Sequence, residues 1–138
     1  MVTTPSLWVK PLSKAGASLL TFHLESNDDP KTLISEIRNE GMKVGMTIKP
    51  DTPLDSLMEY VPLLDMVLIM TVNPGFSGQK FMGGMMSKVR TLRENFPDLD
   101  IQVDGGLSPD TVDEASKAGE CFVIFWNVYL ILHLCGRS

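Results

Sequence analysis

Apolar positions along the chain switch repeatedly between helical spacing and the short runs of buried strands. Near the amino end Leu7, Trp8 and Leu12 recur at helical spacing within residues 6–15, and Gly16 stands where a helix would stop. Residues 18–23 form an apolar, partly β-branched run, and Ser26-Asn27-Asp28-Asp29-Pro30 then supplies turn and helix-start signals. Leu33, Ile34 and Ile37 share one face of a helix expected over residues 31–40, closed by Gly41. Val44, Met46 and Ile48 alternate through a strand over 43–48 that Lys49-Pro50 ends, and Pro53 opens a short helix to residue 60. Residues 65–70 are nearly all apolar, as a strand covered on both faces must be. A helix over 79–95 closed by Pro97, a strand at 101–104, a helix over 109–118 with Gly119 as its stop, and a last strand at 121–125 complete the pattern.

Strict alternation of helix and strand with short connections predicts parallel strands joined by right-handed crossovers, in an open doubly wound sheet or a (β/α) barrel. The pattern does not choose between them. An eight-unit barrel needs about 250 residues, so five strands in 138 residues would make an incomplete one. A hydrophobic content of 43% is enough to build one domain core. The net charge of −5 argues against a nucleic-acid surface, which needs a basic patch. Cys121 and Cys135 have no metal-ligand spacing and fit a reducing compartment. The amino end has no secretory pattern, and the apolar stretch 121–134 contains Asn127 and His133 and falls short of the about 20 residues of a membrane helix. The expectation is a cytoplasmic protein without a membrane partner.

Three loops that follow strands carry the chemistry. Phe22-His23-Leu24-Glu25 sets a histidine beside an acid, residues 73–78 form a glycine-rich loop, and Ile101-Gln102-Val103-Asp104-Gly105-Gly106 delivers an acid into two glycines. All three fall at the carboxyl ends of strands, where α/β proteins display catalytic groups. Amides freed by glycines can bind a phosphate. Asp104 therefore reads as a catalytic centre, or else Asp-Gly-Gly is simply a tight turn; the six residues alone leave both open.

With these motifs the chain resembles the ribulose-phosphate 3-epimerases, phosphosugar enzymes with a (β/α)8 barrel. The matching stretches are Thr21-Phe22-His23-Leu24-Glu25, Gly41-Met42-Lys43-Val44-Gly45 with Ile48-Lys49-Pro50, Met70-Thr71-Val72-Asn73-Pro74-Gly75-Phe76-Ser77-Gly78-Gln79-Lys80-Phe81, and Val103-Asp104-Gly105-Gly106. The resemblance implies a partial TIM barrel holding roughly strands four to eight. It also implies interconversion of D-ribulose 5-phosphate and D-xylulose 5-phosphate by two-base proton transfer at C3. In the family two aspartates serve the two faces of a planar enediolate, and both bind a divalent metal ion of the Zn, Fe, Mn or Co class that two histidines complete. By that match Asp104 is a catalytic acid or base and a metal ligand. Gly75, Phe76, Ser77 and Gly78 are the substrate-covering loop, and Gly105 with Gly106 contact substrate and phosphate.

The match also implies losses. Met1-Val2 resemble the end of a family strand whose histidine binds metal, so that histidine and the strands carrying the other aspartate and histidine are expected to be missing. Residues 1–120 are read as the partial barrel and 121–138 as a divergent apolar tail without the family's Gly-Ser phosphate turn. A shell reduced to one carboxylate would not hold the ion firmly, so the chain is expected to be inactive or nearly so by itself. Its expected partners are a phosphorylated pentulose and, through open strand edges, another copy as a homo-oligomer or full-length epimerase. Two further readings stand beside this one: a shortened isoform that joins or interferes with intact subunits, and a related sugar-phosphate epimerase with a different sugar. His23 is expected to be structural or near substrate, Lys49 either a phosphate contact or a solvated strand end, and Met82, Met85 and Met86 packing residues.

Overall fold

Strands apolar on both sides can be stable only between two layers, and the chain is built around such strands. The structure is a computed structural model that describes residues 2–26, 29–75, 78–119, 122–125 and 130–133. Its helices are α1 (Ser6–Lys14), α2 (Pro30–Asn39), α3 (Asp55–Met58), α4 (Met86–Asn95) and α5 (Val112–Lys117). Its strands are β1 (Leu19–His23), β2 (Lys43–Ile48), β3 (Met66–Met70), β4 (Asp100–Asp104), β5 (Phe122–Phe125) and β6 (Leu130–His133). They form one sheet in the order β1-β2-β3-β4-β5-β6, with β1 to β5 parallel.

That order decides the alternative left open by the pattern. A doubly wound sheet reverses its strand order at a switch point. Here each strand lies beside its predecessor with no reversal, so right-handed crossovers carry every helix between the parallel strands to the same face. This is the winding of a barrel segment.

The register assigns the two faces. Phe22, Met46, Val67 and Ile101 form one row, and Ile48, Ile69 and Val103 another. All seven are buried, packed with Leu33, Ile34 and Ile37 of α2 and Val89 and Leu92 of α4. Full burial of one such side chain stabilises the fold by about 1.5–3 kcal/mol. The opposite face is more polar: His23, Thr47, Leu68 and Gln102 share a row, and Asp104 beside Met70 lies one layer nearer the carboxyl ends. In a barrel winding, this is the face that looks inward.

Several boundaries differ from expectation for local reasons. α4 begins at Met86 rather than residue 79, because Gly83 and Gly84 favour a 3-10 turn over α-helix and residues 79–82 are held in the preceding loop. The predicted 109–118 helix shrinks to Val112–Lys117. The Thr111 hydroxyl accepts from the Ser108 N–H at 2.9 Å, closing a separate turn first. Pro62 turns the end of the predicted 53–60 helix into α3 followed by a 3-10 turn at Val61–Leu63. α2 starts as its residues dictate, with Pro30 in the first turn and the Asp29 carboxylate accepting from the Thr32 N–H at 3.2 Å.

The five expected strands are parallel, and a sixth that the pattern did not predict, β6, pairs antiparallel with β5 from Phe122↔His133 to Phe125↔Leu130. Only residues 126–129 separate the two strands. A parallel crossover needs a dozen or more residues, whereas a hairpin needs few. The rest of the tail assigned to residues 121–138, including both cysteines, lies outside the described residues.

Ile101 sits on the helix-facing row three residues before Asp104. Ile101→Val should lower unfolding free energy by about 0.5–1.5 kcal/mol in urea titration, while the backbone amide spectrum of residues 104–106 stays close to the parent's.

Candidate active site

Asp104 closes β4 and is half-buried beside Met70 of β3. Burial pushes its carboxyl above the ordinary carboxylate range. Among the described residues no hydrogen-bond donor or cation is placed on that carboxylate. A partly desolvated acid without partners is ill suited to a merely structural turn and well suited to exchanging a proton.

The two residues after it are glycines for a geometric reason. Gly105 and Gly106 have φ of 121° and 68°, a region that side chains disfavour. A Cβ at Gly105 would run into the Val72 side chain, and one at Gly106 into the backbone of Phe81 and Gln79. The loop that follows β3 thus lies directly against the glycine pair. Within that loop the Met82 N–H donates to the Thr71 carbonyl at 2.9 Å, and the Gln79 side-chain amide donates to the Asn73 carbonyl. Among the described residues nothing accepts from the N–H of Gly106, whereas the pairing of Asp104 with Ile124 turns the Gly105 N–H toward β5.

Of the predicted site residues, Asp104, Gly105 and Gly106 are contiguous, and the loop carrying Gly75 and Gly78 springs from the neighbouring strand and packs on them through its two ends. Phe76 and Ser77 lie outside the described residues. His23 ends β1, on the same sheet face as Asp104 but three strands away. Its Nδ1 is 3.3 Å from Glu25 Oε2.

Glu25 is the centre of a second cluster at the carboxyl ends of β1 and β2. Burial alone would raise its pKa, but the Lys49 N–H at 2.9 Å, the Thr52 hydroxyl and His23 together hold it below the usual range. Lys49 offers its backbone here while its side chain is exposed, in keeping with the solvated strand end. Lys88 of α4 completes the cluster by donating to the Pro50 and Thr52 carbonyls, each at 2.7 Å. Burial pulls its ammonium pKa down, against the opposing pull of Asp51 and Glu25. Sequence reasoning paired His23 with Glu25 but missed Thr71, Thr52 and Lys88. Thr71 had one available signal, a hydroxyl placed directly after an apolar strand; the other two had none.

The metal expectation meets a limited donor set. Among the described residues no three His, Cys, Asp or Glu side chains converge. Asp104 supplies one carboxylate, short of the ligand number and geometry that hold a divalent ion firmly.

Parallel strands wound in sequence order, with an acid and two glycines at the carboxyl end of β4, define an α/β protein of the barrel-winding class. Comparison with known proteins specifies the class further. The ribulose-phosphate 3 epimerase family matches residues 1–129. Ribulose-phosphate 3-epimerase of Eremothecium gossypii is 51% identical over 124 residues, covering 90% of this chain and 52% of that protein. The cytoplasmic isoform of Oryza sativa subsp. japonica is 52% identical over 134 residues, 94% of this chain and 59% of that protein. The Mycobacterium leprae enzyme is 40% identical over 134 residues, covering 60% of its length. The chain belongs to the ribulose-phosphate 3-epimerase family, a family of isomerases, and spans about half the length of the curated relatives it matches.

Asp104 generates a pH prediction. A carboxyl whose folded pKa is raised binds more protons folded than unfolded, so stability falls as pH rises from the unfolded pKa through the folded one, and stays lower above it. In metal-free buffer Asp104→Asn should raise the thermal midpoint near neutral pH. The gain should shrink toward zero at about pH 3, where both states of the parent approach full protonation.

Proposed function

We propose that this chain carries the Asp104 half of a site for the interconversion of D-ribulose 5-phosphate and D-xylulose 5-phosphate. The observation that carries the reading is the half-buried, partnerless carboxylate of Asp104 beside the Gly106 amide, which has no acceptor among the described residues, with the loop after β3 packed on the glycine pair. Inverting the carbon next to a ketone removes a proton from one face and returns one to the other. A single base would return the proton to the face it came from, so two groups are required. Asp104 serves one face, and its raised pKa brings it closer to the range where it both accepts and releases a proton. The Gly106 amide suits a negative oxygen of the phosphorylated pentulose.

The divalent metal of the family would stabilise enediolate charge as a Lewis acid. Beyond Asp104 its ligands would have to come from outside the described residues. On this reading the isolated chain is slow or inactive, since loss of one positioned acid or base costs about 10²–10⁴ in rate. The name of the rice relative, a cytoplasmic isoform, supports a cytoplasmic setting; no helix among the described residues is long and apolar enough to cross a membrane.

The test is an assay of xylulose 5-phosphate formation by the purified chain with Mn, Zn, Fe or Co ions, beside amide spectra titrated with D-ribulose 5-phosphate. Expected are shifts at Gly105 and Gly106 with turnover far below the about 1–10³ s⁻¹ of ordinary enzymes. Ordinary turnover would overturn the inactivity, and silent glycine amides would overturn the site.

One observation favours a second reading, an interaction protein that associates with itself or with intact epimerase. Among the described residues no strand pairs with the free edge of β1. A cavity of about 380 Å³ beside it is lined by Val2, Pro5, Trp8, Leu12, Leu20 and Phe22, among others, and Leu7 and Trp8 are well exposed. Unpaired parallel edges invite strand addition. Co-purification of the chain with a full-length epimerase, or a homo-oligomer in sedimentation, is the expected result; a soluble lone monomer in the presence of that enzyme would reject this reading.

A further inference from the structure

Thr71 is the first residue after β3 and has no exposed surface. A buried hydroxyl needs an acceptor, and Thr71 Oγ1 donates to the Gly105 carbonyl at 2.6 Å. Its own N–H donates to the Asp104 carbonyl at 2.8 Å, and its carbonyl accepts from Met82 at 2.9 Å. One residue thereby reaches the acid, the peptide between the two glycines, and the far end of the loop. Val72 packs against Gly105, and the backbone of Gln79 and Phe81 against Gly106.

The peptide bonds are trans, and across a trans peptide the carbonyl and the next N–H point in opposite directions. Drawing the Gly105 carbonyl toward Thr71 turns the Gly106 N–H to the other side. Among the described residues, that N–H has no acceptor.

We propose that Thr71 is a positioning residue for this site: its buried hydroxyl sets the Gly105–Gly106 peptide so that the Gly106 N–H stays available to a phosphate ester, and its backbone ties that peptide and Asp104 to the loop as one unit. This rests on the epimerase reading for the identity of the ligand. Thr71 has no surface to offer a substrate, so its effect passes through the peptide it holds.

The test compares Thr71→Val, which keeps the shape and loses the hydroxyl, with Thr71→Ser, which keeps the hydroxyl and loses the methyl. The readouts are hydrogen exchange at Val72, Gln79 and Met82 and the shift of the Gly106 amide on titration with D-ribulose 5-phosphate. In Thr71→Val, loop exchange should quicken about 10-fold, the size expected for one buried hydrogen bond, with Met46 amide exchange on β2 changed far less, and the Gly106 response should weaken by a similar factor. Thr71→Ser should restore both. Parent-like loop exchange in Thr71→Val, or a Thr71→Ser variant as impaired as Thr71→Val, would overturn the proposal. If Thr71→Val does not fold, Thr71→Ser decides alone: parental exchange and Gly106 response support the hydroxyl's role, and loss of either rejects it. A parent whose Gly106 amide ignores the sugar phosphate removes the ligand assignment, while the exchange comparison still decides the positioning role.

Discussion

The parallel pairing of Met66–Met70 with Asp100–Asp104 places Met70 beside Asp104, and the candidate site is an extension of that register. One residue further, the Thr71 N–H continues the ladder to the Asp104 carbonyl, and its side chain reaches past the strand end to Gly105. A slip of one position would move Asp104 to the helix-packed face among Ile69, Val103 and Ile101, where an unpaired carboxylate is costly. The buried row on that face therefore holds the acid in place from below. Core packing and the candidate site use alternate residues of the same strand.

A second constraint operates at β1 and β2. Glu25 collects a main-chain N–H, a hydroxyl and an imidazole, and Lys88 pins the adjoining loop from α4. These contacts stiffen the carboxyl end of the sheet three strands away from Asp104, on the side where β1 has no neighbour among the described residues. The two ends of the sheet are treated differently: β6 folds back antiparallel over the outer edge of β5, whereas β1 presents an edge flanked by Trp8, Leu20 and Phe22. Barrel winding continued past β5 would need a further parallel strand there, and the hairpin takes that place.

Much of this was legible from local pattern. Helix and strand periods marked β1 to β5 within a residue or two, because alternation and apolar runs are properties of neighbouring residues and survive without tertiary information. The strand-acid-glycine-glycine order also placed Asp104 at a carboxyl end, and the motifs of residues 70–81 and 103–106 sufficed for the family. The late starts of α4 and α5 were less legible, since the helical signals of residues 79–82 and 109–111 compete with loop hydrogen bonds that a linear pattern does not show.

What the sequence determined by itself was which segments alternate, which residues stand at the strand ends as candidates for chemistry, and the family they belong to; each follows from residue type and spacing along a few turns of chain. Only the tertiary structure decided the single direction of winding, the antiparallel β6, and the partners of Thr71, Glu25 and Lys88. Those bonds join residues 34, 27 and 38 positions apart, and which of many distant donors and acceptors meet depends on how the strands register and the helices pack over them.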